Sequence, residues 1–447
     1  VTDWRPSLRA AGFLDEEVDR RAKAFDLVLA RWRERFGPRD PTIAYHVPGR
    51  IEVLGKHTDY AGGRSLVCAT EQGLAVLAAP AAGPRVRLVD ARSQEQRDFE
   101  IDRAVRSLRG DWVNYPITVA RRFLLDLGPL EGVDLVFASN LPYAAGVSSS
   151  SAIVVATALV LIAVNRLDAR PEFTTVVRSL EELGGYLGAV ENGRPFGRLA
   201  GGAGVGTMGG SQDQTAILCA RPNALTQFRF DPVSLEGVTP WPADLTFAIA
   251  ASGLVAEKTG AALEHYNGLA RLTARLAELV DGGPRGSRGR TLGGALMEDA
   301  ELAERVASRL RQWPDQAEAG RLLARLTQLT AECRTIIPGV ADALRRGDRD
   351  RLGELVAASQ QGAVLGLRNQ VEETVGLVAM AKTEGAVAAS AFGAGFGGSV
   401  WAMVERRHAE SFAARWKASY LERFPARSAG AVVFLTRPGP PATRLAV

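Results

Sequence analysis

Apolar and polar positions follow three rhythms along this chain. Residues 7–36 read as amphipathic helix, residues 37 to about 105 as strand-rich material, and residues from there to about 240 as alternating strand and helix. Pro240-Trp241-Pro242 marks a break. From Leu245 a strand leads into long Ala-, Leu- and Arg-rich helical segments, interrupted at Asp281–Arg290 by a Gly/Arg run that predicts an exposed flexible loop. Three local patterns are sharper. Val133 to Phe137 predicts a strand stopped by Ser139-Asn140-Leu141-Pro142, the apolar run Ile153 to Val164 predicts a buried helix, and Val400 to Val404 predicts a second short strand. Pro438-Gly-Pro-Pro-Ala442 reads as a tail connection, and no internal repeat is present.

At 447 residues the chain exceeds one ordinary core, so two domains are expected, 1–243 and 244–447. Hydrophobic residues make up 46% and charged residues 23%, as in globular proteins, and 54 basic against 50 acidic side chains leave only +4. No basic stripe interleaved with aromatics argues for nucleic acid. The most apolar run, Ala152 to Val164, is thirteen residues. A bilayer crossing needs ~20, so no membrane partner is expected. Cys68, Cys219 and Cys333 lie far apart without C-x-x-C spacing, and Val1 to Pro6 has no apolar h-region, so a reducing cytoplasm is the expected setting.

Candidate chemistry gathers in four places. Val47–Gly63 sets Arg50, His57 and Asp59 within ten residues of the Pro48-Gly49 turn, around Ile51, Val53 and Leu54, which suit a short buried strand. Alone it could equally be a surface hairpin with incidental charges. Ala144-Ala-Gly146-Val147-Ser148-Ser149-Ser150-Ser151-Ala152 leads into the apolar helix. Small residues at a helix N-terminus let phosphate oxygens approach unpaired N–H groups, although an isolated Ser run is more often a cap or a polar linker. Gly206–Thr215 carries Asp213, and Leu187–Asn192 carries Glu191; each carboxylate could also be a helix-start or solvated group. Ala391-Phe-Gly393-Ala-Gly395-Phe-Gly397-Gly398-Ser399 approximates G-x-G-x-x-G, but a strand-like run follows it where a dinucleotide loop needs a helix. Gly204–Gly209, a similar near-match, lacks a strand before it.

Taken together, these segments resemble the GHMP kinases, and within them the galactokinase-like sugar kinases. Gly49, Arg50, Gly55, His57, Thr58, Asp59 and Tyr60 match the galactokinase signature, whereas Glu52 stands where Asn is usual and Lys56 where Glu is usual. The Ser run resembles the phosphate loop, with Ala144, Val147 and Ser151 replacing Gly, Leu and Ala. The resemblance implies an α+β, two-domain GHMP kinase fold with the active site in the interdomain cleft. It implies ATP and Mg2+, and transfer of the γ-phosphoryl group to a sugar hydroxyl, most simply the anomeric 1-OH of galactose or a related sugar. Position by position, Asp213 and Arg50 would be catalytic; Lys56, His57, Asp59 and Tyr266 would bind the sugar; Gly146, Val147, Ser148, Ser149 and Ser150 would wrap the triphosphate; Ser150 and Glu191 would hold the metal; and Gly393, Gly395, Gly397 and Gly398 would form the late glycine motif. Lys56 reverses a charge that faces the sugar in that family, which opens the alternative of a uronic acid substrate; a lysine swung out to solvent or paired with Glu52 would leave galactose. A non-catalytic sugar- and ATP-binding regulator and a kinase of the mevalonate or homoserine branch are the other readings. A monomer or homodimer is expected.

Overall fold

The computed structural model describes residues 2–108, 110–142, 146–254, 260–281 and 290–447. The first sheet runs β13–β1–β2–β5–β3–β4, where β1 is Ile43–Leu54, β2 Arg64–Pro80, β3 Arg85–Asp90, β4 Gln96–Glu100, β5 Val133–Ser139 and β13 Thr443–Leu445. β6 (Ala224–Arg229) pairs with the first part of β2 and with β7 (Ser234–Pro240). Successive side chains of a strand point to opposite faces, and the second half of β2 follows this. Leu74, Val76 and Ala78 join one core with the helix Ser149–Asn165, while Ala75, Leu77 and Ala79 join another with Phe25 and Trp32 of the helix Asp15–Phe36. Both faces are covered, so β1 and β2 are buried almost throughout.

A second, antiparallel sheet runs β11–β8–β10–β9, with β8 Leu245–Ser252, β9 Ala388–Phe392, β10 Ser399–Glu405 and β11 Ala431–Thr436. Ala248, Ala250, Val400 and Ala402 pack against Leu377, Phe412 and Trp416. Phe247, Ile249, Trp401 and Met403 face the other way and merge with the core of the first sheet through Ile337 and Leu355. One continuous apolar core therefore joins the two sheets. The loops at their junction are held by packing on both sides.

Two sequence expectations change. The amphipathic stretch 7–36 is two helices, Arg5–Ala11 and Asp15–Phe36, because Gly12 turns left-handed at φ 104° against Pro222. The Pro438–Ala442 tail is no tail: β12 (Pro438–Gly439) pairs Pro438 with Thr70 of β2, and β13 pairs Leu445 with Ala44 of β1. The first sheet thus takes strands from both ends of the sequence, and the division 1–243 and 244–447 does not follow the sheets. The Gly/Arg loop expected at Asp281–Arg290 falls largely outside the described residues. Among them, no helix is long and apolar enough to cross a membrane.

Candidate active site

Gly49 is where the site begins. A Cβ there would lie 2.7 Å from both the Val147 carbonyl oxygen and Leu141 Cδ2, so only glycine lets β1 touch the Ser-rich loop. The contact is a hydrogen bond from Arg50 N to Val147 O at 3.1 Å, beside a register shift between Pro48 and Arg50. That bulge aims the Arg50 side chain inward. Its Nε donates to Asp213 Oδ1 at 2.8 Å and its Nη1 to the Gly146 carbonyl at 2.6 Å, with the guanidinium buried. Asp213, in the first turn of the helix Gln212–Cys219, is part-exposed.

Ser148 caps the helix Ser149–Asn165 in a left-handed conformation and donates its hydroxyl to Asp213 Oδ2. Ser151 follows one turn later on the same face. Its Oγ lies 3.3 Å from Asp213 Oδ2 and 3.2 Å from Glu191 Oε2, and Glu191 also accepts from Gln214 Nε2 at 2.6 Å. Ser148 and Ser151 are thus the hydroxyls bonded to the carboxylates, while the Ser150 side chain, part-exposed, lies off that face with no protein hydrogen-bond partner among the described residues. Ala144, the altered loop position, lies outside the described residues.

The Gly-rich stretch between Glu191 and Asp213 folds back on the helix Leu180–Asn192 instead of separating the two carboxylates. Val205 N donates to Glu191 O at 2.9 Å, and Asn192 Oδ1 accepts from Thr207 Oγ1 at 2.8 Å and Gly209 N at 2.9 Å. Asn267 holds Met208 N at 2.9 Å from the opposite side. Neither asparagine has a signal in the sequence, nor does Gln212 or Gln214; the i, i+3 spacing of Ser148 and Ser151 is the one clue that was available.

Asp59 accepts from Gln212 N at 3.1 Å, and burial raises its pKa. Tyr266 places its ring 5.3 Å from that of His57, and burial followed by Asp59 pushes its phenol well above the ordinary value. Asp59, Asp213 and Tyr266 are all part-exposed. His57 differs from expectation. Its Nε2 donates to the Ala394 carbonyl at 3.0 Å and its Nδ1 accepts from Tyr60 Oη at 2.9 Å, so both ring nitrogens are engaged; burial lowers its pKa to about 4 and keeps it neutral. It ties two loops together. Lys56 differs more: 1% exposed, its ammonium donates to Ser390 Oγ at 2.8 Å and Ser359 Oγ at 3.0 Å. Those bonds hold its ammonium in the protein interior. Glu52, also buried, is pushed up to about 8 by burial against the pull of Arg50 and Lys56.

Gly393, Gly395, Gly397 and Gly398 form the turn between β9 and β10, all with positive φ. Because antiparallel strands flank this turn, it is not a dinucleotide loop. A Cβ on Gly395 would meet Asn369 O at 2.4 Å, and one on Gly393 would meet Gly146 O at 3.4 Å. The late glycine turn thus packs directly on the Ser-rich loop.

Comparison with known proteins agrees with this geometry. Three family models match in order along the chain: the galactokinase galactose-binding signature over residues 30–80, the GHMP kinase N-terminal domain over 114–221, and the GHMP kinase C-terminal region over 340–422. The chain belongs to the GHMP kinase family. This GHMP kinase is 27% identical over 397 residues to the galactokinase of Chloroflexus aggregans, covering 87% of the chain and 91% of that protein. It is also 27% identical over 383 residues to the galactokinase of a Roseiflexus species, covering 86% of the chain and 88% of the relative. In fold it is similar to Lactococcus lactis galactokinase complexed with galactose, with a TM-score of 0.75, 20% identity, and coverage of 94% of this chain and 99% of that one. Methanococcus jannaschii mevalonate kinase gives 0.52 at 13% identity, covering 90% and 99%.

Proposed function

We propose that this GHMP kinase transfers the γ-phosphoryl group of ATP to a sugar hydroxyl, most simply the anomeric 1-OH of galactose or a related sugar. The observation that carries this reading is the Arg50–Asp213 pair at 2.8 Å, beside the Gly146–Ser148 loop with the Asp213 carboxylate part-exposed. Phosphoryl transfer asks for positioning and charge stabilisation more than for covalent chemistry. Asp213 orients the acceptor hydroxyl and takes its proton. Arg50 pairs with that carboxylate and offers its remaining N–H groups to the phosphoryl oxygens. The N-terminus of the helix Ser149–Asn165 faces the same place and stabilises phosphate charge.

Mg2+ fits the donor set. Glu191, Asp213, Ser148 and Ser151 supply only hard oxygens, linked through the Ser151 hydroxyl. Mg2+ takes one or two carboxylates and completes its shell with phosphate and water. When bound, Mg2+ neutralises phosphate charge. Asp59 and Tyr266 line the acceptor side. With Lys56 turned inward the uronic acid alternative loses its support, and a regulator without turnover has no need of the intact Arg50–Asp213 pair. The three cysteines are buried and unpaired, in keeping with a reducing compartment such as the cytoplasm.

The test is ADP release and sugar phosphate formation over galactose, arabinose, N-acetylgalactosamine and galacturonate. Turnover greatest with galactose supports the reading. Sugar and nucleotide binding without turnover returns the regulator, and turnover confined to galacturonate returns the uronic acid.

A further inference from the structure

Beneath the cleft, where β1 ends, lies a buried polar network that the transfer chemistry leaves unused. Its centre is Lys56. Each serine that accepts from the ammonium passes the contact on: Ser390 donates to Gln360 Oε1 at 3.0 Å, and Ser359 donates to Glu332. Gln360 Oε1 also accepts from Ala391 N at 3.0 Å, and the second oxygen of Glu332 accepts from Gly55 N at 3.2 Å. Both relays therefore end on backbone, one on β9 and one on the turn that bears Lys56. The same turn is gripped from a third side, where Gln328 Nε2 donates to Lys56 O at 3.1 Å and the fully buried Arg325 donates to His57 O. Burial lowers the Lys56 pKa, and the carboxylates of Glu332 and Glu52 oppose that shift. Withdrawing an ammonium from water costs several kcal/mol, recovered only through good geometry and full hydrogen bonding.

The network sits between the two working parts of the cleft. After Lys56 the chain runs on to His57 and Asp59. After Ser390 it runs to Phe392 and into the Gly393–Gly398 turn. The two segments are bonded twice, by Lys56 to Ser390 and by His57 to the Ala394 carbonyl. We propose that Lys56 is a positioning residue that locks the Asp59-bearing turn to the strand presenting the Gly393–Gly398 turn, so that the acceptor pocket and the nucleotide loop keep one fixed register. The naming of those two sides rests on the kinase reading; the lock itself does not.

Lys56→Met keeps the length of the stem and removes the donors, and Ser390→Ala removes one acceptor while leaving the lysine. Affinity for a non-hydrolysable ATP analogue with Mg2+ is measured on each folded variant, with thermal unfolding recorded in parallel. Each is expected to bind the analogue about tenfold more weakly, the size of a coupling carried by one link. The double variant should lose no more than the worse single, because both act through one bond. If folded Lys56→Met and Ser390→Ala bind the analogue like wild type and only melt earlier, Lys56 is a core filler and the proposal is overturned. Should Lys56→Met fail to fold, Ser390→Ala decides alone. Wild-type sugar phosphorylation is scored separately: its absence overturns the kinase reading, whereas weaker analogue binding in the variants upholds the lock with or without it.

Discussion

The Ser148 hydroxyl donates to Oδ2 of Asp213 while Arg50 holds Oδ1. The carboxylate is therefore oriented from two directions before any substrate arrives, and Ser151 stands one helical turn further along the same face. Ser148→Ala and Ser151→Ala are each expected to lower kcat about tenfold, the scale of a lost hydrogen bond to a charged group. Ser150→Ala should stay within about twofold, since its side chain lies off that face. Steady-state kinetics on the three variants checks the order, and an effect of Ser150→Ala larger than the other two would restore it as the working hydroxyl.

Asp213→Asn should lower kcat at least ~100-fold, as expected on losing a general base, and leave nucleotide affinity nearly unchanged. Arg50→Lys should also be severe, because an ammonium cannot match the fixed fork that reaches both Asp213 and the Gly146 carbonyl. Single-turnover rates with titrated ATP separate chemistry from binding; near wild-type transfer by Asp213→Asn would remove it from the mechanism.

Glu191→Gln should raise the magnesium concentration needed for half-maximal rate, and adding Ser151→Ala should give less than the sum of the two effects, because one hydroxyl links the two carboxylates. A magnesium titration superimposable on wild type would leave Glu191 as a structural partner of Gln214.

Glu52 gives a pH signature. Burial raises its folded pKa to about 8 from an ordinary value of 4.5, so between those values the folded state holds the extra proton. Its contribution is fully present below the unfolded pKa and is lost as pH rises through the folded one, at up to ~1.4 kcal/mol per pH unit. His46 and His57 act in the opposite sense: burial lowers them to about 3 and about 4, and their contribution is lost as pH falls below about 6.5. Comparing wild type with Glu52→Gln isolates the carboxyl. Urea unfolding from pH 5 to 8 should show stability declining less steeply in the variant, and parallel curves would mean that Glu52 stays ionised throughout, paired with the neighbouring cations.

The sequence carries the parts of the fold and site that local chemistry dictates. The strand at Val133, the helix after the Ser run and the strand at Val400 follow from apolar spacing, and Arg50 and Asp213 follow from the motifs that contain them. Long-range partners leave no local trace. Lys56 was legible as a reversed charge but not as a buried one, because Ser359, Ser390 and Glu332 lie some three hundred positions away and are unremarkable where they stand. His57 was legible as a polar group in a turn; its use as a link depends on the Ala394 carbonyl, which every residue possesses. The Gly-rich run between Glu191 and Asp213 shows the converse. A flexible run can lengthen a connection without lengthening the distance it spans.

β13 pairs with β1, Leu445 is buried with Trp4 and Phe25, and Ala446 N donates to Ser7 Oγ at 3.4 Å. A nascent chain consequently cannot complete its first sheet when the first sheet's own segment emerges; the start of β1 keeps an unpaired edge until residues 443–445 have been synthesised. Such delayed pairing across the whole sequence is slow and leaves a strand edge open to other chains in the meantime.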